Sequence, residues 1–459
     1  MGLVINILLW LLLIAIAAVA TLLVGLYIRG AFRWRPLFYV RQAIAPQHPQ
    51  FPLILKSLTE SLATHGQVVD FWDTAAEIQQ ARIEAIRRAR HSIQFETFMM
   101  TPGKRTNDFA EEIARKAIEG VSVQLLVDTF GTRSLPRRYW QHLRSAGVQI
   151  VFFNPFDWRA PANFAGRTHR KLLIIDNEQA LIGGSGISDL WDGIEKSDDT
   201  KPWLDIEMML VGEVVSVLSA TFQLHWQGHR IKREDEKTGK LEPGVTIINM
   251  DRICPVVDAD PLPSTKRLSN DKKESSTILV TPGTKPNYRD SSVEVLKQTL
   301  VACAQKRVWL SSPYFLPNKS TRQILITAKK AGVDVRILTT SDRSDKKPVY
   351  YASYEVYGSL LRAGIKIFEY QPSMLHAKML LLDNHWANTG STNIDYRSFL
   401  HNDELDIVTD SALLIEKIEQ AFEKGFAQSK QISLRQWRNR SLLKHRVLGN
   451  VVRLVEWQL

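Results

Sequence analysis

Two histidines, each followed two residues later by a lysine and five residues after that by an aspartate, carry the chemistry this chain could do. They are His169 with Lys171 and Asp176, then His376 with Lys378 and Asp383. An imidazole can attack an electrophile or pass a proton near neutral pH, and an ammonium beside it offers fixed positive charge to an anionic oxygen. One such unit would carry little weight, because a histidine at a strand end is a common structural feature. Two units, inside a wider repeat, are the mark of a duplicated site.

An apolar run separates lysine from aspartate in each unit, and a glycine-rich turn closes it: Gly183-Gly184-Ser185-Gly186 in the first, Gly390-Ser391-Thr392-Asn393 in the second. Along a strand, side chains two apart point the same way, so each His–Lys pair would share a face. Asp176 and Asp383, at the far end of the run, would fix the turn. Two imidazoles and two ammonium groups around one phosphate-sized space suit a two-step displacement on a phosphodiester through a phosphohistidine. Lys171 and Lys378 would hold the non-bridging oxygens, with Ser391 and Asn393 as further donors, so charge is stabilised without a metal. Carboxylates at metal-ligand spacing are not evident in the sequence, and no cofactor is expected. Each imidazole also needs an acid to orient it, and Asp205 and Glu404 stand in equivalent strands after the two units.

The paired units resemble the phospholipase D superfamily, and within it the chain is most similar to the bacterial cardiolipin synthases. The second unit matches the family's Gly-Ser-x-Asn with Gly390, Ser391 and Asn393; the first departs from it, with Gly184 where serine is usual and Gly186 where asparagine is usual. Gly184 and Ser185 remain the substrate-binding candidates there. Glu96-Thr97-Phe98, Pro313-Tyr314-Phe315 and Asn402-Asp403-Glu404 are further family-like elements, and the likeness runs over residues 67–430. It implies that Asp205 serves His376 and Glu404 serves His169, across the two halves. It also implies His169 as nucleophile and His376 as general acid and base. Phosphatidylglycerol and other anionic phospholipids would be the partners: one phosphatidylglycerol donates its phosphatidyl group to a second, forming cardiolipin and releasing glycerol. With water as acceptor the same site is a phospholipase. A membrane-tethered nuclease and a non-catalytic scaffold are the other readings, the nuclease disfavoured because no aromatic stacking series is interleaved with the basic residues.

The elements that must position these residues follow from pattern. The chain has 459 residues, room for two or three domains. Its two cysteines, Cys254 and Cys303, make no disulfide framework, and a net charge of +11 calls for an anionic partner. Gly2 to Ile28 is uncharged, long enough to cross a bilayer, and too long for the apolar region of a signal peptide. Arg29, Arg33, Arg35 and Arg41 follow, which places the bulk of the chain on the cytoplasmic side of a cell membrane.

Beyond the anchor, strand, helix, strand, helix, strand appears twice, with Glu119-Gly120-Val121 echoed by Ala331-Gly332-Val333. The expected fold is α/β: two pseudo-symmetric α-β-α halves with mixed, largely parallel sheets behind one transmembrane helix. The expected divisions are an anchor (1–35), a connector (36–66), a first half (67–230), a charged linker (231–275), a second half (276–428) and a basic amphipathic tail (429–459). The tail suits either an anionic membrane interface or a helix docked on the protein's own core.

Overall fold

A computed structural model of the chain describes residues 2–31, 44–156, 158, 165–193, 201–238, 275–283 and 291–456. Most of the linker, and Arg33, Arg35 and Arg41 after the anchor, lie outside the described residues.

The first half contributes β1 (Leu62–Trp72), β2 (Ser92–Thr97), β3 (Ser122–Asp128), β4 (Gln149–Phe153), β5 (Leu172–Ile175), β6 (Gln179–Gly183) and β7 (Glu207–Val211). The second repeats the series as β8 (Ser276–Gly283), β9 (Arg307–Ser312), β10 (Asp334–Thr340), β11 (Lys366–Tyr370), β12 (Met379–Leu382), β13 (Trp386–Gly390) and β14 (Glu404–Thr409), and adds β15 (Ser429–Ile432). All 15 strands form one sheet in the order β15-β11-β10-β9-β12-β13-β14-β8-β1-β7-β6-β5-β2-β3-β4. Apart from β15, that order reads the same from either end, with the antiparallel β1–β8 pair at the centre. The duplication is therefore a pseudo-two-fold arrangement of the two halves in one sheet.

The sheet is mixed, as expected, but leans to antiparallel. Among the named strands only β2-β3-β4 and β9-β10-β11 run parallel. The alternation of strand and helix accounts for those; each His–Lys–Asp unit, read from sequence as a single strand, folds instead into a hairpin, β5–β6 and β12–β13. Its turn residues say why. In the first, Asp176 and Asn177 both have positive φ (54° and 55°), the backbone of a tight type I′ connection; in the second, Asp383 has positive φ (50°) and Asn384 does not.

Helix starts repeat too. Thr74 caps the helix Ala75–Arg88 by accepting from the Glu77 N–H, and Ser291 caps Ser292–Ala302 by accepting from the Glu294 N–H. Both are Ser/Thr-x-x-Glu boxes. Helices Glu213–Thr238 and Ala412–Ala427 cover one face of the sheet with a core shared between the halves, which includes Leu218, Phe222, Ile418 and Phe422. On the other face each half has its own core.

Elements run across two of the expected boundaries, and the expected tail opens on a strand. The connector holds a helix, Phe51–Thr59, and the start of β1; the linker's first residues continue the helix Glu213–Thr238; and the tail begins with β15, paired to β11. Farther on, Trp437 donates to the Tyr354 carbonyl at 2.8 Å, and Arg440 forms an ion pair with Glu355, so the tail docks on the helix Lys347–Arg362. Leu442, Leu443, Val447, Val451 and Leu454 stay exposed on its outer side. At the other end, the helix Gly2–Ala31 includes a 19-residue stretch, Val4–Leu22, apolar and long enough to cross a membrane and packed against nothing in the fold.

Candidate active site

His169 and Lys171 lie in the extended segment that enters β5, and His376 and Lys378 in the one that enters β12. Each segment is pinned by the opposite half. Thr168 bridges to Asp403 and Leu204 to Leu375, while the backbone N–H groups of His169 and His376 donate to the carbonyls of Asp403 (2.8 Å) and Leu204 (2.7 Å). The side chains cross over in the same way. His376 Nδ1 is 2.8 Å from Asp205 Oδ2, and His169 Nδ1 is 3.0 Å from Glu404 Oε2 and 2.9 Å from the Ser391 carbonyl. With Nδ1 engaged by an acid in both rings, Nε2 is the nitrogen left for chemistry, and in His376 it lies 3.2 Å from Lys378 Nζ. Lys171 and Lys378 each donate to the carbonyl of the histidine two residues before, as two residues on one face can.

Burial governs the charge of these groups. The imidazoles are only 8% and 7% exposed. Burial first, then the ammonium groups of Lys171, Lys378 and Lys346, hold His169 well below the usual histidine range. Burial and Lys378 bring His376 down to about 4. Burial also lowers Lys378 to about 8, against the pull of Asp205 and Glu404. Glu404 is pushed up to about 7 by burial, whereas for Asp205 the neighbouring His376 and Lys378 outweigh burial and bring it down to about 2. At neutral pH both rings are neutral, the state a nucleophile or base requires.

The glycine-rich turns differ between the halves for a visible reason. In the second, the Ser391 hydroxyl donates to Glu404 and accepts from the Leu405 N–H (2.9 Å). In the first, a Cβ on Gly184 would lie 2.2 Å from Asp205 Oδ1, so a serine there would push the carboxylate aside. The donor to the acid is instead Trp191, whose indole N–H reaches Asp205 Oδ2 at 2.8 Å. Likewise a Cβ on Gly186 would meet the Met99 carbonyl at 2.5 Å, which excludes asparagine. Ser185 acts through its carbonyl, which accepts from Arg82. Asn393 is buried, and its side-chain oxygen has no hydrogen-bond partner among the described residues.

Asp176 and Asp383 stand away from this space, at the far ends of β5 and β12. Asp176 accepts from the N–H groups of Arg90, His91 and Ser92, and Asp383 from those of Gln305, Lys306 and Arg307. They tie each hairpin to the start of the neighbouring parallel strand.

Several positioning residues had no signal in the motif. Buried Arg82 pairs with Glu207 and holds the first turn through the Ser185 and Gly186 carbonyls. Lys297 pairs with Asp406 (2.7 Å) in the equivalent place. The helix positions are related by the duplication, which is the clue that could have found them. His225, on Glu213–Thr238, sets Nδ1 2.6 Å from Glu96 and Nε2 3.0 Å from Asp403, linking the halves behind His169. Trp191 and Trp203 flank the His376 ring at 5.2 and 5.8 Å.

A family model described as the cardiolipin synthase, PLD-like domain matches residues 82–190 and 298–425. The chain is 31% identical over 399 residues to a cardiolipin synthase of Halalkalibacterium halodurans, across 86% of this chain and 72% of that one. It is 29% identical over 434 residues to cardiolipin synthase A of Pseudomonas syringae, covering 93% and 82%. The crystal structure of phosphatidylserine synthase from Haemophilus influenzae shares the fold, with a TM-score of 0.62 at 14% identity over 88% of this chain and 98% of that one.

Proposed function

This chain belongs to the cardiolipin synthase, PLD-like domain family, and on that footing we propose that it joins two phosphatidylglycerol molecules into cardiolipin and releases glycerol. A phospholipid phosphatidyltransferase of the phospholipase D superfamily is the reading its relatives support. The observation that carries the mechanism is the crossed pairing of each imidazole with an acid of the other half.

In the first step, Nε2 of His169 attacks the phosphorus of one phosphatidylglycerol. The bond from phosphorus to the headgroup oxygen breaks, and His376, which takes up a proton at Nε2 as the anionic phosphate binds, gives that proton to the departing glycerol. A phosphatidyl group is left on His169 through a P–N bond. In the second step, the primary hydroxyl of another phosphatidylglycerol attacks, its proton passes to His376, and the P–N bond breaks. Lys171 and Lys378 neutralise the non-bridging oxygens, and the side-chain amide nitrogen of buried Asn393 is a further donor for the same group. Asp205, ionised, favours the imidazolium that His376 becomes; Glu404 holds His169 in the tautomer with a free Nε2. The anchor keeps this site at the membrane, on the cytoplasmic side by its flanking arginines.

Purified full-length protein incubated with labelled phosphatidylglycerol in detergent tests the reading. Cardiolipin and free glycerol are expected. Phosphatidic acid alone would make the protein a hydrolase, and no turnover would leave the nuclease or scaffold. Trapping labelled phosphoenzyme in H169A and H376A assigns the roles: label is expected to vanish in H169A, and loss only in H376A would reverse them.

A further inference from the structure

The two lipids in this reaction both carry a phosphate, and the twin histidine units account for only one of them. The acceptor's phosphate sits one glycerol away from its attacking hydroxyl. It sheds water on entering a cleft and needs a cation of its own. We propose that Lys346 is that cation: it binds the phosphate of the acceptor lipid and selects an anionic alcohol for the second step. The inference rests on the phosphatidyl-transfer reading above and names the acceptor subsite within it.

Lys346 ends the loop between β10 and the helix Lys347–Arg362, and its ammonium lies 4.6 Å from the centre of the Tyr314 ring. Its neighbour Asp345 is occupied by the Tyr314 hydroxyl at 2.8 and 2.9 Å, and Lys346 itself forms no ion pair among the described residues. Tyr314 packs in one apolar cluster with Trp191 and Trp203, the two indoles that flank His376. The ammonium therefore stands over one member of the aromatic cluster that reaches the His376 ring. The side chain is reached by solvent. Its charge adds to the lowering of the His169 and Lys171 pKa values, in keeping with a place near the reacting groups.

In the first half the helix that follows β3, Arg137–Ser145, has Pro136 at its N-cap, where the longer helix Lys347–Arg362 has Lys346. In the transfer itself, the acceptor's O–P bond forms as the P–N bond to His169 breaks, and the hydroxyl proton goes to His376. Lys346 takes no part in these bonds; it holds the acceptor in line.

The test offers full-length protein, in mixed micelles of phosphatidylglycerol and detergent, ethanol as a neutral competing acceptor. Cardiolipin and phosphatidylethanol are measured together. K346Q is expected to lower the ratio of cardiolipin to phosphatidylethanol by about tenfold or more, the weight of a lost charge-assisted hydrogen bond, and to raise KM for the acceptor phosphatidylglycerol. K346R should restore much of the ratio. K347Q, the same charge change on the exposed next residue, should leave it alone. A ratio unchanged in K346Q, or lowered equally in K347Q, overturns the proposal. Wild-type protein that makes phosphatidylethanol but no cardiolipin overturns the reading beneath it, a result the variants cannot mimic.

Discussion

Buried imidazoles close to several ammonium groups are neutral because each further positive charge is costly there, and this shapes how the site must respond to its substrate. A bound phosphate supplies negative charge and removes that cost, so His376 should gain its proton as the anion arrives. The expectation is that inorganic phosphate raises the His376 pKa from about 4 toward neutrality, followed by NMR of labelled histidine; an unmoved value would remove it as general acid. The same shift has a stability sign. His376 sits below the ordinary value of about 6.5, so its contribution is present above that pH and lost as the pH falls through about 4. Gly184 gives a second residue-scale prediction. G184S brings the turn closer to the family pattern, yet the added Cβ displaces the Asp205 carboxylate. Activity should fall by about 10²- to 10⁴-fold with the fold intact by circular dichroism, as expected when an orienting acid is lost. G184A should do the same, and an active G184S would show that Asp205 tolerates displacement.

At the scale of elements, the hairpins set where chemistry and structure divide. Asp176 ends β5 about five residues from Lys171, roughly 17 Å along an extended chain. Its carboxylate serves three backbone N–H groups. D176A should therefore cost about 3 kcal/mol in denaturant unfolding. In the fraction that stays folded, kcat should remain within a few-fold of wild type. A kcat loss as large as that of H376A would instead put Asp176 in the reaction. The repeated His-x-Lys spacing and the apolar runs announced strands and a shared face. They did not announce hairpins, because a turn built on positive φ at Asp-Asn looks like any polar break until its register is known.

For the whole molecule, the halves are useful only together. His225 lies between Glu96 of the first half and Asp403 of the second, with Arg170 also near and the Phe153 ring 4.9 Å away. Burial opposes its charge, but Glu96 and Asp403 outweigh it and raise its pKa. A raised histidine stabilises fully below about pH 6.5 and loses that contribution as the pH climbs through its folded pKa. H225Q should be about 3 kcal/mol less stable than wild type at pH 6, with the gap narrowing toward pH 9 in thermal unfolding. A gap independent of pH would mean that His225 is not a charged clamp. Because each imidazole is oriented from the opposite half of the same chain, mixing H169A with H376A protein should recover no activity. Rescue on mixing would reveal sites shared between chains.

What the chain determined by itself was the chemistry and the plan of the fold: residue types, spacing and a visible repeat are local properties, legible without any coordinates. His169, Lys171, His376 and Lys378 belong to that class, as do the apolar anchor and the twofold order of strands and helices. Tertiary structure alone decided that Trp191 replaces a serine donor beside Asp205 and that Arg82 and Lys297 brace the glycine-rich turns. These depend on contacts between segments distant in sequence, packed to within a few ångströms. Composition and periodicity carry no record of such neighbours, since any residue of suitable size and charge could have met them from either half.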